Sequence, residues 1–507
     1  MTDLPLDTDP SEHIETSVSA SDGLSVVLTW LDASPPANAE DDLAPLQNHL
    51  SMLRGSKLAP QQRAMVLERI YTRGITVLDA LRPTLTDVSL PLSKKVRPLV
   101  RRLQDLLRSL AEDLLATPTL IEGHMIRGLR ELQATLLWRS LYALSQHLLI
   151  SNLTAGPAGT GIWSLLHQTY ATARKLKVAH ITPEGSASTP QDLYFSAVLL
   201  GCSQPASFTS REVEFVAAYL EHFSDRIDLS DVAPVKLNAT FWIDPARDVA
   251  AFACTRKTAP TDTGIHYFSC DKLASLLKKQ LAALEAGSTP QHINLPAFAS
   301  TVAGRGVFRR LVTHWGDPGK RRFPRRRQNY RALLCAGLDS LWRLFQDGEE
   351  AAVDASSWMI TNESPDGYAI MHVSGKTGSM SVGDVTAIRT ESSENWQICI
   401  IRWAISENQV HLELGLQILA THAVPAFLAQ TSETNASGRL SVLILPEIPA
   451  LRATEMMVVP SGALDDQSNH HVLVVERDNV EVREVKSTQL NEQNSRIEVF
   501  SIIPAAH

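Results

Sequence analysis

Arg326-Arg327-Gln328-Asn329-Tyr330-Arg331, followed thirty-one residues on by Asn362-Glu363-Ser364-Pro365-Asp366-Gly367, is the pair of strings that decides how this chain folds. The first string sets Arg327 and Arg331 four apart at the end of a basic run. Lys320, Arg321, Arg322, Arg325 and Arg326 precede them, and Arg305, Arg309 and Arg310 lie just upstream. Like charges packed this densely repel one another until counter-charge arrives. The run then enters Ala332-Leu333-Leu334-Cys335-Ala336-Gly337, which reads as the first strand of a β domain. In the second string, Asn362 offers donor and acceptor together, Ser364 a rotatable hydroxyl, and Gly367 a backbone bend that a Cβ would obstruct. A guanidinium fork matches phosphate oxygens bidentately. It also matches O6 and N7 of guanine, so the two strings together suit an anionic guanine nucleotide. Alone, a basic run is most often a solvated linker, and Asn-x-Ser-x-x-Gly an ordinary turn. Their order and spacing join them.

The rest of the composition bounds the answer. A chain of 507 residues with 44% apolar content has room for several domains with their own cores. The net charge of −8 argues against bulk nucleic-acid binding, although a local basic patch can oppose it. Five cysteines, Cys202, Cys254, Cys270, Cys335 and Cys399, include no CxxC pair. Neither a disulfide framework nor a structural zinc site is expected, which fits a reducing compartment. The acidic start, Met1 to Ala20, has no basic and apolar signal regions, and Tyr194 to Cys202 is too short to span a bilayer. A cytoplasmic protein without membrane insertion is expected.

Four segments follow from the texture. Residues 1–45 are acidic and rich in Ser, Thr and Pro, and read as mostly disordered, with Val26 to Leu31 as a docked strand. Residues 46–230 read as a helical domain. Leu99, Leu103, Leu106, Leu107, Leu110 and Leu114 recur on one face, as do Leu129, Leu132, Leu136, Leu141, Leu144 and Leu148. The basic residues Lys94 to Arg108 sit opposite the first stripe and read as its solvated face. Thr209 with Glu212 reads as a capping box. Residues 231–315 read as a small mixed α/β adaptor, with a helix over Asp271 to Ala286. Residues 316–507 are β in texture, with short apolar runs punctuated by Gly, Asn, Asp and Ser. Leu338 to Phe345 fits either a strand or a helix.

The stretch from about 320 to 420 resembles a PilZ domain, the bacterial receptor module for cyclic di-GMP. That family pairs an RxxxR loop with a [D/N]xSxxG motif on a six-stranded barrel. Arg326 to Arg331 is especially similar to the loop of flagellar-brake-type members. Glu413-Leu414-Gly415-Leu416, within Gln409 to Leu419, resembles the strand near the end of the barrel. The resemblance implies that Arg327 and Arg331 contact phosphates and guanine, that Asn362 and Ser364 hold a guanine edge, that Gly367 shapes the turn, and that Arg326 is a further contact. Arg321/Arg325 and Arg322/Arg326 also satisfy RxxxR, but Arg331 adjoins the strand, which favours Arg327/Arg331. The fold expected is an α+β multidomain chain, a helical N-terminal region followed by a C-terminal antiparallel PilZ-like β-barrel with a β extension.

Turnover chemistry finds little footing. The chain has no HExxH, Walker A, GxGxxG after a strand, or GxSxG, and Gly156 to Gly161 lacks the lysine of a phosphate loop. Neither the Gly-Gly-Asp/Glu-Glu-Phe nor the Glu-Ala-Leu signature of cyclic di-GMP synthesis or hydrolysis is present. The expectation is a receptor and not an enzyme, needing no cofactor and no metal. It would change its domain arrangement on binding cyclic di-GMP and signal to a protein partner through the helical region. The alternatives are an interaction scaffold with a degenerate barrel that binds no nucleotide, and a nucleic-acid binder using residues 305–331. Homodimerisation, ligand stoichiometry and the pathway controlled stay open.

Overall fold

A computed structural model describes residues 20–121, 128–261, 264–318, 324–347, 354–407, 411–429, 439–448, 454–464, 469–476, 479–494 and 496–505. Lys320, Arg321, Arg322 and Phe323 lie outside the described residues, as do the first nineteen positions.

The described part of the N-terminal region forms eight α-helices: α1 (Ala20–Asp32), α2 (Leu43–Gly55), α3 (Pro60–Leu81), α4 (Val96–Leu120), α5 (Leu129–Leu153), α6 (Ile162–Lys175), α7 (Pro190–Cys202) and α8 (Ser210–Phe223). The leucine stripe of α4 is buried as its spacing requires. Helix α5 departs from a one-face stripe. Gln133, Ser140, Gln146, His147 and Ser151 are buried along with its leucines, because α4, α6, α7 and α8 surround it. The box ahead of α8 forms as expected: Thr209 Oγ1 accepts from the Glu212 amide, and the Glu212 carboxylate accepts from the Thr209 amide.

The island Val26 to Leu31, expected as a strand in a disordered segment, lies inside α1. Six residues, five of them apolar, cannot separate a 3.6-residue period from a period of two. Packing settles it: Val27 is buried, and Trp30 sits between the Arg73 guanidinium, 4.0 Å from its ring centroid, and the His49 ring at 4.5 Å.

A four-stranded sheet follows, built from β1 (Asp228–Ser230), β2 (Thr240–Ile243), β3 (Phe252–Ala253) and β4 (His266–Ser269) in the order β1-β4-β2-β3. Helices α9 (Asp271–Glu285) and α10 (Val302–Leu311) and a π-turn at Val312–Gly316 complete this unit. Trp315 is fully buried and donates its indole N–H to the Leu199 carbonyl at 3.1 Å, which ties the unit to α7.

The C-terminal region contains two closed six-stranded antiparallel barrels. The first uses β5 (Arg326–Ala336), β6 (Ser356–Ser364), β7 (Gly367–Ser374), β8 (Val385–Thr390), β9 (Gln397–Ser406) and β10 (Leu412–Ala420), in the order β10-β7-β6-β5-β8-β9. The second uses β11 (Val424–Ala429), β12 (Arg439–Leu445), β13 (Glu455–Pro460), β14 (His470–Glu476), β15 (Val480–Gln493) and β16 (Ile497–Pro504), in the order β11-β12-β13-β16-β15-β14. What the sequence suggested as a β extension closes on itself into this second barrel, which leaves no open sheet edge. Helix α11 (Leu338–Asp347) resolves the ambiguous segment as a wedge between the barrels. Leu338, Leu341 and Leu344 share one apolar cluster with Val385, Ala387 and Ile398 of the first barrel and Leu443, Leu445 and Val458 of the second.

One expectation is corrected here. Strand β5 begins at Arg326, six residues before the strand the sequence suggested at Ala332. Arg326, Arg327 and Arg331 are therefore strand residues. Pairing with β6 satisfies backbone groups that a loop would leave to water.

Candidate functional site

The site is a row across the outer wall of the first barrel, visible in the strand register. Arg327 is the cross-strand partner of Asn362, Asn362 of Ala369, Ala369 of Gly415, and Gly415 of Trp403. Directly opposed residues in an antiparallel ladder share a face. The row thus runs from an arginine and an amide at one side, over two small residues, to an indole at the other. The adjoining row pairs Ser364 with Gly367 and Gly367 with Gln417. A cleft of about 300 Å³ lies over these rows, lined by Arg325, Asn362, Ser364, Asp366, Gly367, Arg402, Trp403, Gly415 and Gln417 among others.

Two glycines open the cleft by letting backbone and ring approach closely. A Cβ on Gly415 would lie 1.8 Å from the Trp403 indole nitrogen, so the ring occupies the space directly over Gly415. A Cβ on Gly367 would lie 1.9 Å from the Leu416 carbonyl oxygen. Gly367 has no left-handed backbone, so close approach of β10, and not turn geometry, is what requires glycine there.

Local hydrogen bonds hold the polar groups. Ser364 Oγ donates to Asp366 Oδ1 at 2.7 Å and lies 3.1 Å from the Gly367 carbonyl. With its proton engaged, the serine oxygen has lone pairs left as acceptors. Glu363 accepts from Gln328 Nε2 at 3.2 Å and from the Tyr330 hydroxyl at 3.1 Å, next to its ladder partner Arg326. Burial, then the Glu363 charge, raises the Tyr330 hydroxyl above its ordinary range, so it stays a donor. Burial, then charges including Glu363, pushes Tyr368 up to about 12.

The residues singled out in the sequence are not all brought together. Asn362, Ser364 and Gly367 line the cleft, and Arg327 faces Asn362 across the ladder. Arg326 is exposed opposite Glu363. Arg331 is three β6 positions further on, opposite Met359, and borders a separate cleft with Ser357, Arg389, Thr390 and Ser393. Among the described residues, Arg326, Arg327 and Arg331 have no ion-pair partner. Arg325, placed by the sequence only in an alternative RxxxR register, lines the main cleft.

Arg402, Trp403 and Gln417 were not singled out in the sequence. Trp403 meets Gly415 only through the β9–β10 register, a relation that no local string encodes.

Residues 25–234 match the family model described as the N-terminal domain of the cyclic-di-GMP receptor FimW, and residues 343–425 match its middle PilZ domain. The second match includes Asn362, Ser364 and Gly367 and starts after the arginines of β5. The protein named cyclic-di-GMP receptor FimW from Pseudomonas aeruginosa is 21% identical, over 85% of this chain and 83% of that relative. The two family matches follow the same order as the helical region and the first barrel, and together span more than half of the sequence. The chain belongs to the PilZ-domain cyclic-di-GMP receptor family, in an arrangement with a FimW-type helical domain ahead of the PilZ barrel.

Proposed function

We propose that this chain is a bacterial receptor for cyclic di-GMP that works by binding and not by turnover. The observation that carries the reading is the row Arg327–Asn362–Ala369–Gly415–Trp403, with the Ser364–Gly367 turn beside it. Guanine presents N–H donors on its Watson–Crick edge, and Asn362 and Ser364 supply acceptors there. The phosphates carry the negative charge that Arg327, with Arg326 and Arg331, is disposed to fork. Beside the Trp403 ring that covers Gly415, the small side chain of Ala369 leaves room for a planar base. The name of the Pseudomonas relative supports the same ligand.

The response to ligand belongs to the same proposal. Ligand shifts the arrangement of the barrels against the helical region only by its differential affinity for the two arrangements. The helical region then presents the altered surface to a protein partner. A cytoplasmic location fits a soluble second messenger. Among the described residues no helix is long and apolar enough to cross a membrane.

Titration calorimetry of cyclic di-GMP, GMP and ATP into the full chain tests the reading. Saturable heat with cyclic di-GMP alone is expected. A charge-assisted contact is worth roughly 1.5–3 kcal/mol, so Arg327→Ala should weaken binding by about tenfold or more. Arg331→Ala, from the neighbouring cleft, should weaken it less. A folded chain silent to micromolar cyclic di-GMP would reject the receptor reading in favour of a scaffold with a barrel that no longer binds.

A further inference from the structure

The cleft contains one arginine that no motif of the sequence includes, and its partner comes from the other barrel. Arg402 sits at a register shift in β9: Trp403 opposes Gly415 and Ile401 opposes Leu416, leaving Arg402 without a ladder partner on β10. A bulge of this kind re-aims a side chain, and here it directs Arg402 to the cleft wall beside Gln417. Its Nε donates to Gln417 Oε1 at 2.6 Å. A terminal nitrogen of the same guanidinium donates to Glu492 Oε1 at 2.7 Å. Glu492 stands on β15 of the second barrel, just past another register shift.

We propose that Arg402 is a further ligand-binding residue, and that Glu492 holds it as an internal rival of the ligand's phosphate. The proposal rests on the cyclic di-GMP reading of the cleft and adds to it how the second barrel takes part. The side chains of Arg402 and Glu492 are 38% and 31% exposed, so water reaches both ends of the pair. Such a pair is weak and exchangeable. A phosphate offers the same fork two anionic oxygens at once and outcompetes a single carboxylate oxygen. When the phosphate takes Arg402, Glu492 loses its cation. The loss falls two residues before Asn494, whose side-chain amide donates to Asp384 of the first barrel at 2.9 Å. Occupation of the cleft is thereby transmitted to the contact between the barrels.

Glu492→Gln, Arg402→Ala and the double variant test this in the full chain by calorimetry with cyclic di-GMP. Glutamine keeps the shape and hydrogen-bonding capacity of Glu492 while removing its charge, and thermal melts check that each variant folds. Removing an exposed rival charge should tighten binding by about two- to fivefold. Arg402→Ala should weaken binding by about tenfold. In the Arg402→Ala background the Glu492→Gln change should do nothing. Hydrogen exchange gives a second readout: ligand should lower amide protection around Glu492 in the wild type but not in Arg402→Ala. A wild type that binds while Glu492→Gln has unchanged or weaker affinity overturns this proposal and leaves the receptor reading intact. A wild type that takes up no cyclic di-GMP overturns both.

Discussion

At the scale of single residues, the cleft depends on what is left out as much as on what is present. Arg325, Arg402, Asn362 and Ser364 line it with charge and hydrogen-bonding groups, but Gly367 and Gly415 bring strands and an indole close enough to make a wall and a floor. The two glycines differ in what opposes them. A methyl on Gly415 would meet the Trp403 ring, a side chain and not backbone. A methyl on Gly367 would meet the Leu416 backbone carbonyl, which can move only if the β7–β10 ladder shifts. Gly367→Ala should therefore lower the unfolding free energy by about 1–3 kcal/mol, as forced overpacking does. Urea denaturation of the two chains would measure it. Where space exists, a glycine-to-alanine change instead stabilises by roughly 0.4–1 kcal/mol through the unfolded state. A Gly367→Ala chain that gained stability would show that β10 does not press on this position.

At the scale of elements, what the sequence makes legible follows from how an element buries its side chains. Helix α4 shows its leucine stripe because one face is solvated. The strands from β6 to β10 show because short apolar runs are separated by turn residues. Strand β15, Val-Glu-Val-Arg-Glu-Val-Lys-Ser-Thr-Gln-Leu-Asn-Glu-Gln, is fourteen residues long and mostly polar, so nothing local marks it as barrel wall. Strand β11 is masked by Pro425, tolerated because pairing with β14 begins only at Phe427. Of the cleft, the Asn362–Gly367 string was legible, while Arg402, Trp403 and Gln417 depend on the register of β9 against β10. Helix α11 was ambiguous because its apolar face looks to two barrels at once. That position makes it testable. Leu341 is fully buried between the barrels, with Trp342 beside it donating to the Ala426 carbonyl at 2.9 Å. Leu341→Ala should cost about 2–5 kcal/mol. It should also separate the melting of the two barrels in calorimetry, since the cluster they share is the apolar part of what couples them. A single, unshifted transition would show that α11 does not join them.

At the scale of the molecule, one side chain touches three units. Arg496, between β15 and β16, donates to Asp384 Oδ2 and to the Ser379 carbonyl, both on the first barrel and both at 2.8 Å, and to Ser89 Oγ of the helical region at 3.2 Å. Beside it the Leu90 amide donates to the Met380 carbonyl at 2.8 Å. A cavity of about 340 Å³ opens nearby, lined from the helical region by Asp87 and Leu153, from the first barrel by Ser381 and from the second by Gln493. A movement of one unit against another must pass through this junction. Burial raises the Asp384 carboxyl above its ordinary range, and Arg496 is the foremost influence opposing that rise. Arg496→Ala removes the opposition and leaves a buried acceptor without its cation, a loss of about 1–3 kcal/mol at neutral pH. The sign of the pH dependence follows. With a folded-state pKa above the unfolded value, the native chain binds the proton more tightly, so this site's contribution is full below the unfolded pKa of 3.8 and is lost as pH rises through the folded value. The deficit of Arg496→Ala against wild type should therefore be largest near neutrality and shrink toward acid pH in urea titrations. The change deletes polar contacts and no strand or helix, so circular dichroism should be unchanged while small-angle scattering shows a larger radius of gyration. A variant as compact as the wild type, with a deficit independent of pH, would mean that Arg496 only decorates the junction and that the three units are held by their apolar contacts alone.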